Sequence, residues 1–237
     1  MQLLAGTSGF SYKEWLGKFY PEKHPADAML RYYSGHFATV EINNTFYRMP
    51  AETMLARWAE EVQEGFSFTL KAPRRITHEL RLKDCESHVA EFLRRAQALG
   101  GKLGPLLFQL PPYFKKDLAR LRDFLALLPA GRPAAFEFRN SSWQDDEVYG
   151  TLRAKGVMLC YTDTEQGDSP PLVATSDSGY LRLRRTHYDD SDLRAWAERI
   201  AAHSLARTYV YFMHEDDALG TVFARKLTDH WKERAGK

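Results

Sequence analysis

Short apolar runs take turns, from one end of this chain to the other, with longer stretches in which hydrophobic residues return every three or four positions. The runs at residues 3–7, 39–43, 66–71, 105–110, 134–139, 157–161, 180–184 and 208–213 have the length of strands. Between them, Met29, Leu30, Tyr33 and Phe37 keep helical spacing after Pro25, and Met54, Leu55, Trp58 and Val62 keep it after Pro50. A third stripe, Val89, Phe92, Leu93, Ala96 and Leu99, stops at Gly100 and Gly101, and a fourth, Leu118, Leu121, Leu125 and Leu128, stops at Pro129. Val148 with Leu152, then Leu193, Trp196, Ala197 and Ile200, and finally Val222, Phe223, Leu227 and Trp231 mark three more helices.

One interval breaks the order. Residues 164–178 carry Gly167, Pro170, Pro171 and two Asp-Ser pairs, which predict a loop where the sixth crossover helix is due. Strands and helices in this number and order suit a (β/α)8 barrel better than a doubly wound sheet, since about 250 residues is the usual barrel size. No repeat, low-complexity tract or linker divides the chain. Residues 1–237 are therefore expected to form one α/β domain, a TIM-like barrel with its sixth helix replaced by a long loop.

Composition narrows the class. A hydrophobic content of 44% can close a core, and 27% charged residues of both signs do not enforce disorder. Thirty-three basic against thirty-one acidic side chains leave +2, so any anion-binding surface must be local. Cys85 and Cys160 lie far apart without a Cys-x-x-Cys, which offers neither a disulfide framework nor a zinc ribbon. With no basic leader and no apolar stretch of about 18 residues, neither secretion nor a membrane span is expected, and the cytoplasm is the expected location.

Strand alternation sorts the polar residues. Val40 and Ile42 should face helices, leaving Glu41 and Asn43 inward; Phe66, Phe68 and Leu70 leave Ser67, Thr69 and Lys71. By the same rule Glu137 and Arg139 point inward on the fifth strand, and Arg182 and Arg184 on the seventh. Gln109 falls near the end of the fourth strand and Asp163 just past the sixth, whereas Tyr209, Tyr211 and Met213 on the eighth alternate with Val210, Phe212 and His214 in a way that leaves the facing open. Shielded charges are costly unless compensated. Glu41, Lys71, Glu137, Arg139 and Arg182 must therefore offset one another as an ion-pair layer or meet a ligand.

These residues also carry a resemblance. Gly6-Thr7-Ser8-Gly9 with Tyr12 and Trp15, Phe19-Tyr20-Pro21, the run from Val40 to Tyr47, Lys71-Ala72-Pro73 through Thr77-His78, Gln109-Leu110-Pro111, and Glu137-Phe138-Arg139 with Trp143 resemble the YecE-like family, also called domain of unknown function 72. The resemblance implies a TIM-barrel-like fold and supplies no reaction. It marks Glu41, Asn43, Asn44, Lys71, His78, Gln109, Glu137 and Arg139 as the family-like polar set. Where many members look like Arg-Leu-His-Gly on the seventh strand, this chain has Arg182-Leu183-Arg184-Arg185; where they look like Phe-Asn-Asn on the eighth, it has Phe212-Met213-His214. Those departures imply a more cationic mouth.

Several chemistries fit these residue types. Glu41 and Glu137, on opposing sides of a barrel, could act as acid and base, or hold a divalent metal together with Asp163 and His214. No His-x-His or His-Glu-x-x-His supports that metal, because His78-Glu79 is followed by Leu82 where the second histidine would stand, and no cofactor is evident. Lys71 stands where barrel enzymes form Schiff bases, but a carboxylate partner would raise its pKa and favour an electrostatic part in a catalytic set of Glu41, Lys71, Glu137 and Asp163. Lys71, Arg74, Arg75, Arg139, Arg182, Arg184 and Arg185 all fall at or just beyond strand ends, which predicts an anionic ligand. Asn43, Asn44, Tyr47, His78, Gln109, Arg139, Trp143, Arg182 and Arg184 make the expected binding set, and Tyr12, Trp15, Phe46 and Tyr113 add loop aromatics. Two functions follow: an enzyme, a hydrolase or an isomerase or lyase, acting on a phosphorylated or otherwise anionic small molecule or nucleotide; or a nuclease-like barrel whose basic rim tracks nucleic acid.

Overall fold

The structure, a computed structural model, describes residues 1–163, 165, 172–213 and 217–235. Its strands are β1 (Gln2–Thr7), β2 (Thr39–Ile42), β3 (Ser67–Lys71), β4 (Leu103–Leu110), β5 (Ala134–Phe138), β6 (Met158–Asp163), β7 (Ser178–Leu183) and β8 (Arg207–Phe212). They form one eight-stranded parallel sheet in the order β1-β8-β7-β6-β5-β4-β3-β2. Helices α1 (Met29–Ser34), α2 (Glu52–Glu61), α3 (Glu86–Ala96), α4 (Leu118–Ala126), α5 (Asp146–Lys155), α6 (Asp190–Ala201) and α7 (Leu219–Ala235) alternate with the strands, which makes this a TIM-like barrel. Between β6 and β7, residues 172–177 hold no helix, while Thr164 and residues 166–171 of the expected loop lie outside the described residues.

Local chemistry sets the element ends. Asp117, Asp145 and Asp189 cap α4, α5 and α6 with side-chain oxygens that accept from Arg120, Glu147 and Asp192 backbone N–H groups. Gly156 closes α5 in the left-handed region at φ 67°, where a side chain would be strained. The helix-facing core is aliphatic and aromatic, with Phe68, Phe108, Phe136, Leu181 and Val210 turned outward from the strands onto it. Inside the barrel sits a separate cluster of Leu4, Leu107, Ala135, Met158, Cys160, Tyr180, Tyr209 and Tyr211. The facing of β8 is thereby decided: its tyrosines point inward and Val210 and Phe212 outward.

The barrel closes between β1 and β2 by a different device from its other seams. A single bridge joins Ser8 to Glu41, and the Gly9 N–H donates to the Glu41 carbonyl at 2.8 Å. Below that point the α1 side chain Tyr33 enters the gap, its hydroxyl accepting from the Thr7 N–H at 2.9 Å and donating to the Thr39 carbonyl at 3.0 Å. Backbone groups left unpaired by the gap are thus satisfied. Gly6 lies there without a side chain because a Cβ would stand 2.2 Å from the Thr39 carbonyl oxygen. Across the interior, Tyr211 hydroxyl bonds Thr39 and Thr69 Oγ1 at 2.7 and 2.8 Å, tying β8 to β2 and β3 under the mouth.

Strand boundaries shift from expectation by one or two residues, and two of the shifts bear on the mouth. β6 runs on to Asp163, whose ladder partner is Leu183, so this aspartate belongs to the strand instead of lying past its end. β8 stops at Phe212 and leaves Met213 beyond it. No helix among the described residues is long and apolar enough to cross a membrane.

Candidate functional site

Above the interior tyrosines, at the carboxyl ends of the strands, lies a layer of buried charge. Tyr180 and Arg182 occupy the same face of β7, so the residue two places after an interior tyrosine is an interior arginine. Arg182 is 1% exposed and reaches across the barrel: Nη2 donates to Glu41 Oε1 at 2.7 Å and Nη1 to Glu137 Oε2 at 2.6 Å. Glu41 Oε1 also accepts from Ser8 Oγ at 2.7 Å and Asn43 Nδ2 at 3.2 Å, and Oε2 accepts from the Tyr180 hydroxyl at 2.5 Å. Glu137 is likewise filled, taking Gln109 Nε2 at 2.8 Å and Arg139 Nε at 3.1 Å.

Electrostatics follow from that geometry. Burial pushes the Glu41 carboxyl up, but Arg182 and the hydroxyls of Tyr180 and Ser8 more than reverse it and hold the group below the usual range. Burial likewise raises Glu137, and Arg182, Arg184 and Arg139 together drive it well below the carboxylate range. Carboxylates held ionised and fully bonded are weak proton acceptors at neutral pH. They serve as the fixed anionic floor of the mouth.

The other cations are less occupied. Arg184 Nη2 stands 3.9 Å from Glu137, and its Nε is buried with no acceptor among the described residues. Burial lowers its pKa, only partly offset by Glu137. Lys71 was expected to pair with Glu41 or Glu137. It makes no ion pair with any described residue, because Arg182 takes both carboxylates; its Nζ lies 4.2 Å from the centre of the Phe46 ring. Burial, with Arg182 alongside, brings this lysine down to about 8, against an opposing pull from Glu137 and Glu41. That reverses the expected direction. His78 meets the same Phe46 ring edge to face, with centroids 4.8 Å apart, and its Nδ1 bonds Thr77 Oγ1 at 2.9 Å. Burial, then Lys71, Arg139 and Arg74, lower His78 to about 4, so it is neutral at pH 7. A π-helical turn over Arg75–Glu79 presents it, followed by left-handed backbone at Arg81, Leu82 and Asp84. Such strain concentrates where a loop is held for a purpose.

Other expected residues are placed elsewhere. Asp163 accepts from the Tyr188 hydroxyl at 3.0 Å and pairs with Arg185 Nε at 3.1 Å, a network separate from Arg182. The expected metal set is not assembled: Arg182 stands between Glu41 and Glu137, Asp163 is turned to Arg185, and His214 lies outside the described residues. Among the described residues no three His, Cys, Asp or Glu side chains converge as a metal site. Trp143, expected to meet a ligand, is fully buried; its Nε1 donates to the Phe114 carbonyl at 2.7 Å and its ring stacks on Phe138. Trp15 is buried as well, whereas Tyr47 and Tyr113 are 80% and 63% exposed at the rim. Asn44 is exposed and, with Asn43, lines a cavity of about 340 Å³ beside the mouth, walled also by Phe10, Tyr12, Met54 and Trp58.

Ser8, Tyr180 and Phe46 do more than the sequence suggested. Tyr180 was readable as the inward neighbour of Arg182; Ser8 and Phe46 act through contacts that strand spacing does not encode.

Comparison with known proteins places the chain among relatives. A family model described as a protein of unknown function, DUF72, matches residues 4–237. The UPF0759 protein YecE of Escherichia coli strain K12 is 38% identical over 141 residues, 57% of this chain and 52% of YecE. YunF of Bacillus subtilis strain 168, also a UPF0759 protein, is 28% identical over 181 residues, 70% of this chain and 64% of YunF. The match thus spans about half the length of YecE. A solved DUF72 structure from Thermotoga maritima superposes with a TM-score of 0.86 at 26% identity, covering 100% of both chains. One from Enterococcus faecalis gives 0.80 at 20% identity over 96% of each, a likeness of fold.

Proposed function

The chain belongs to the DUF72 family of proteins of unknown function, and on that premise we propose that the mouth of its barrel is the active site of an enzyme acting on a phosphorylated or otherwise anionic small molecule or nucleotide. One observation carries the reading. At one opening the two buried carboxylates Glu41 and Glu137 face four cations, Arg182, Arg139, Arg184 and Lys71, so positive charge is in excess, and the buried Arg184 Nε has no acceptor among the described residues. A buried guanidinium donor without a partner is unfavourable, and a phosphate or carboxylate oxygen completes it with a charge-assisted bond. The adjoining cavity walled by Phe10, Tyr12 and Trp58 offers space for the uncharged part of such a ligand, with Asn43 common to cavity and charge layer. Proton handling falls to His78 and Lys71, since Glu41 and Glu137 are held ionised.

Exposed Tyr47 and Tyr113 at the rim are the observation that favours the nucleic-acid reading, as stacking platforms. Against it, Arg75 is turned to Glu79 at 2.8 Å, and the chain carries only +2 overall.

Thermal shift separates the two. Inorganic phosphate, sugar phosphates and nucleotides are titrated against the wild type and Arg184→Gln. Ligand at about a hundredfold over Kd adds about 2.7 kcal/mol, roughly 5–10 °C in Tm for a chain of this size. Arg184→Gln is expected to weaken binding by about tenfold or more, the worth of one charge-assisted bond. A Tm unmoved by every small anion overturns the reading. A shift produced by single-stranded oligonucleotides alone, and lost steeply with added salt, replaces it with the nucleic-acid function.

A further inference from the structure

Lys71 is a half-buried lysine at a barrel strand end with no carboxylate ion pair among the described residues. Its nearest aromatic surface is Phe46, and the charged or titratable groups acting on it are Arg182, Glu137, Glu41 and Arg139; His78, which feels the Lys71 charge, packs against the same ring. Both carboxylates are directed at Arg182, with Glu137 also held by Arg139. With both carboxylates bonded elsewhere, their pull on the ammonium only partly offsets burial and Arg182, and the free amine is reached at a lower pH than for an exposed lysine. His78 has Nδ1 fixed on Thr77, and its Nε2 bonds to no described residue. A neutral imidazole and a lysine on one aromatic ring, beside guanidinium groups with spare donors, form a nucleophile, a proton carrier and an anion holder.

We propose that Lys71 forms an imine with the carbonyl carbon of an anionic aldehyde or ketone whose phosphate or carboxylate lies on Arg184 and Arg139. This rests on the anion site proposed above and names the class of its substrate. The neutral Nζ adds to the carbonyl carbon; the C–N bond forms as the carbonyl π pair moves to oxygen. His78 relays a proton from nitrogen to that oxygen, giving a carbinolamine. Taking up one further proton, the hydroxyl leaves as water and the nitrogen lone pair completes a positively charged C=N bond. No oxidant or reductant is consumed. The iminium then withdraws electrons from the neighbouring carbon, as isomerase and lyase chemistry requires. Burial and Arg182 hold Lys71 near 8, so a usable fraction is free amine at neutral pH.

Reductive trapping tests the step. The full chain is incubated with sodium cyanoborohydride and one of three probes: glycolaldehyde phosphate, glyoxylate or uncharged glycolaldehyde. The modified lysines are located by peptide mass mapping. Lys71 is expected to be labelled about tenfold faster than surface lysines, and by an anionic probe about tenfold faster than by glycolaldehyde, the worth of one charge-assisted bond. Which anionic probe wins identifies phosphate or carboxylate as the ligand group. The rate should climb as pH rises through about 8. His78→Gln should slow Lys71 labelling by about tenfold or more while phosphate still stabilises the protein. Lys71→Arg should lose the adduct at this position while keeping the wild-type circular dichroism spectrum. If phosphate stabilises the wild type but Lys71 reacts no faster than surface lysines, the imine is overturned and the anion site stands. If phosphate has no effect and all three probes label Lys71 alike, the anion site falls and this proposal with it.

Discussion

Arg182 bridges the two carboxylates buried at the mouth; Glu137 also keeps Arg139, whereas Glu41 has only neutral hydrogen-bond donors besides it among the described residues. Removing it leaves Glu41, at 0% exposure, without a charged partner among the described residues in a low-dielectric interior, and Glu137, at 2%, with Arg139 and the more distant Arg184. Arg182→Met, which keeps most of the volume, is expected to lower stability by about 3–5 kcal/mol at pH 7.5, read by urea denaturation. The sign of its pH dependence is specific. In the wild type both carboxyls lie below their usual value of 4.5, so their contribution is complete above that value and lost on acidification. Without Arg182, burial raises Glu41, so the folded variant takes up a proton there before the unfolded chain does. The deficit should therefore shrink between about pH 7.5 and pH 5; a deficit constant over that range would mean Glu41 is not the group stranded. Alternation alone made Arg182, Glu41 and Glu137 readable as inward residues, because period two is a property of the backbone. It could not say that one guanidinium would take both carboxylates and leave Lys71 without either.

Among the elements, the β1–β2 seam and the β3–α3 connection give the site its form. Tyr33 of α1 replaces ladder bonds at the seam, and that substitution works only while β1 can come close to Thr39 at Gly6. Gly6→Ala places a Cβ against a backbone carbonyl that cannot rotate away, so the strands must separate. About 1–3 kcal/mol is the usual cost of overpacking, and this position is expected at the upper end, with a Tm lower by roughly 6–12 °C. An unchanged Tm would show that the seam is slack. In the β3–α3 connection the sequence marked His78 but not the π-helical turn that presents it, since one inserted backbone residue has no signature in hydrophobic spacing. Trp143 reads as a rim aromatic by position; only the packing of Phe114 and Phe138 around it makes it core.

For the molecule as a whole, +2 hides a division of charge between a buried layer of two carboxylates and one arginine and a set of less occupied cations above it. Strands β2, β3, β5 and β7, which carry or lead into these groups, reach from residue 39 to residue 183, and β1 and β8 complete the sheet around them, so the layer is assembled by the sheet as a whole. We therefore expect residues 1–237 to unfold as one unit. Far-ultraviolet circular dichroism and tryptophan fluorescence should give coincident urea transitions; two separated transitions would divide the chain into independent parts.

The sequence by itself determined the barrel and which residues of the second, third, fifth and seventh strands face its axis, because helical and strand periodicities are local and burial enforces them; the facing of the eighth came only from packing. It also located positive charge at the strand ends. Which charges would meet was decided only in three dimensions. Glu41, Glu137 and Arg182 lie on strands far apart in the chain, and their pairing depends on barrel curvature and side-chain reach. The same geometry turned Asp163 toward Arg185 and left Lys71 over Phe46 with no carboxylate. A pKa follows from the field of all neighbours at once, and no spacing along one strand contains that sum.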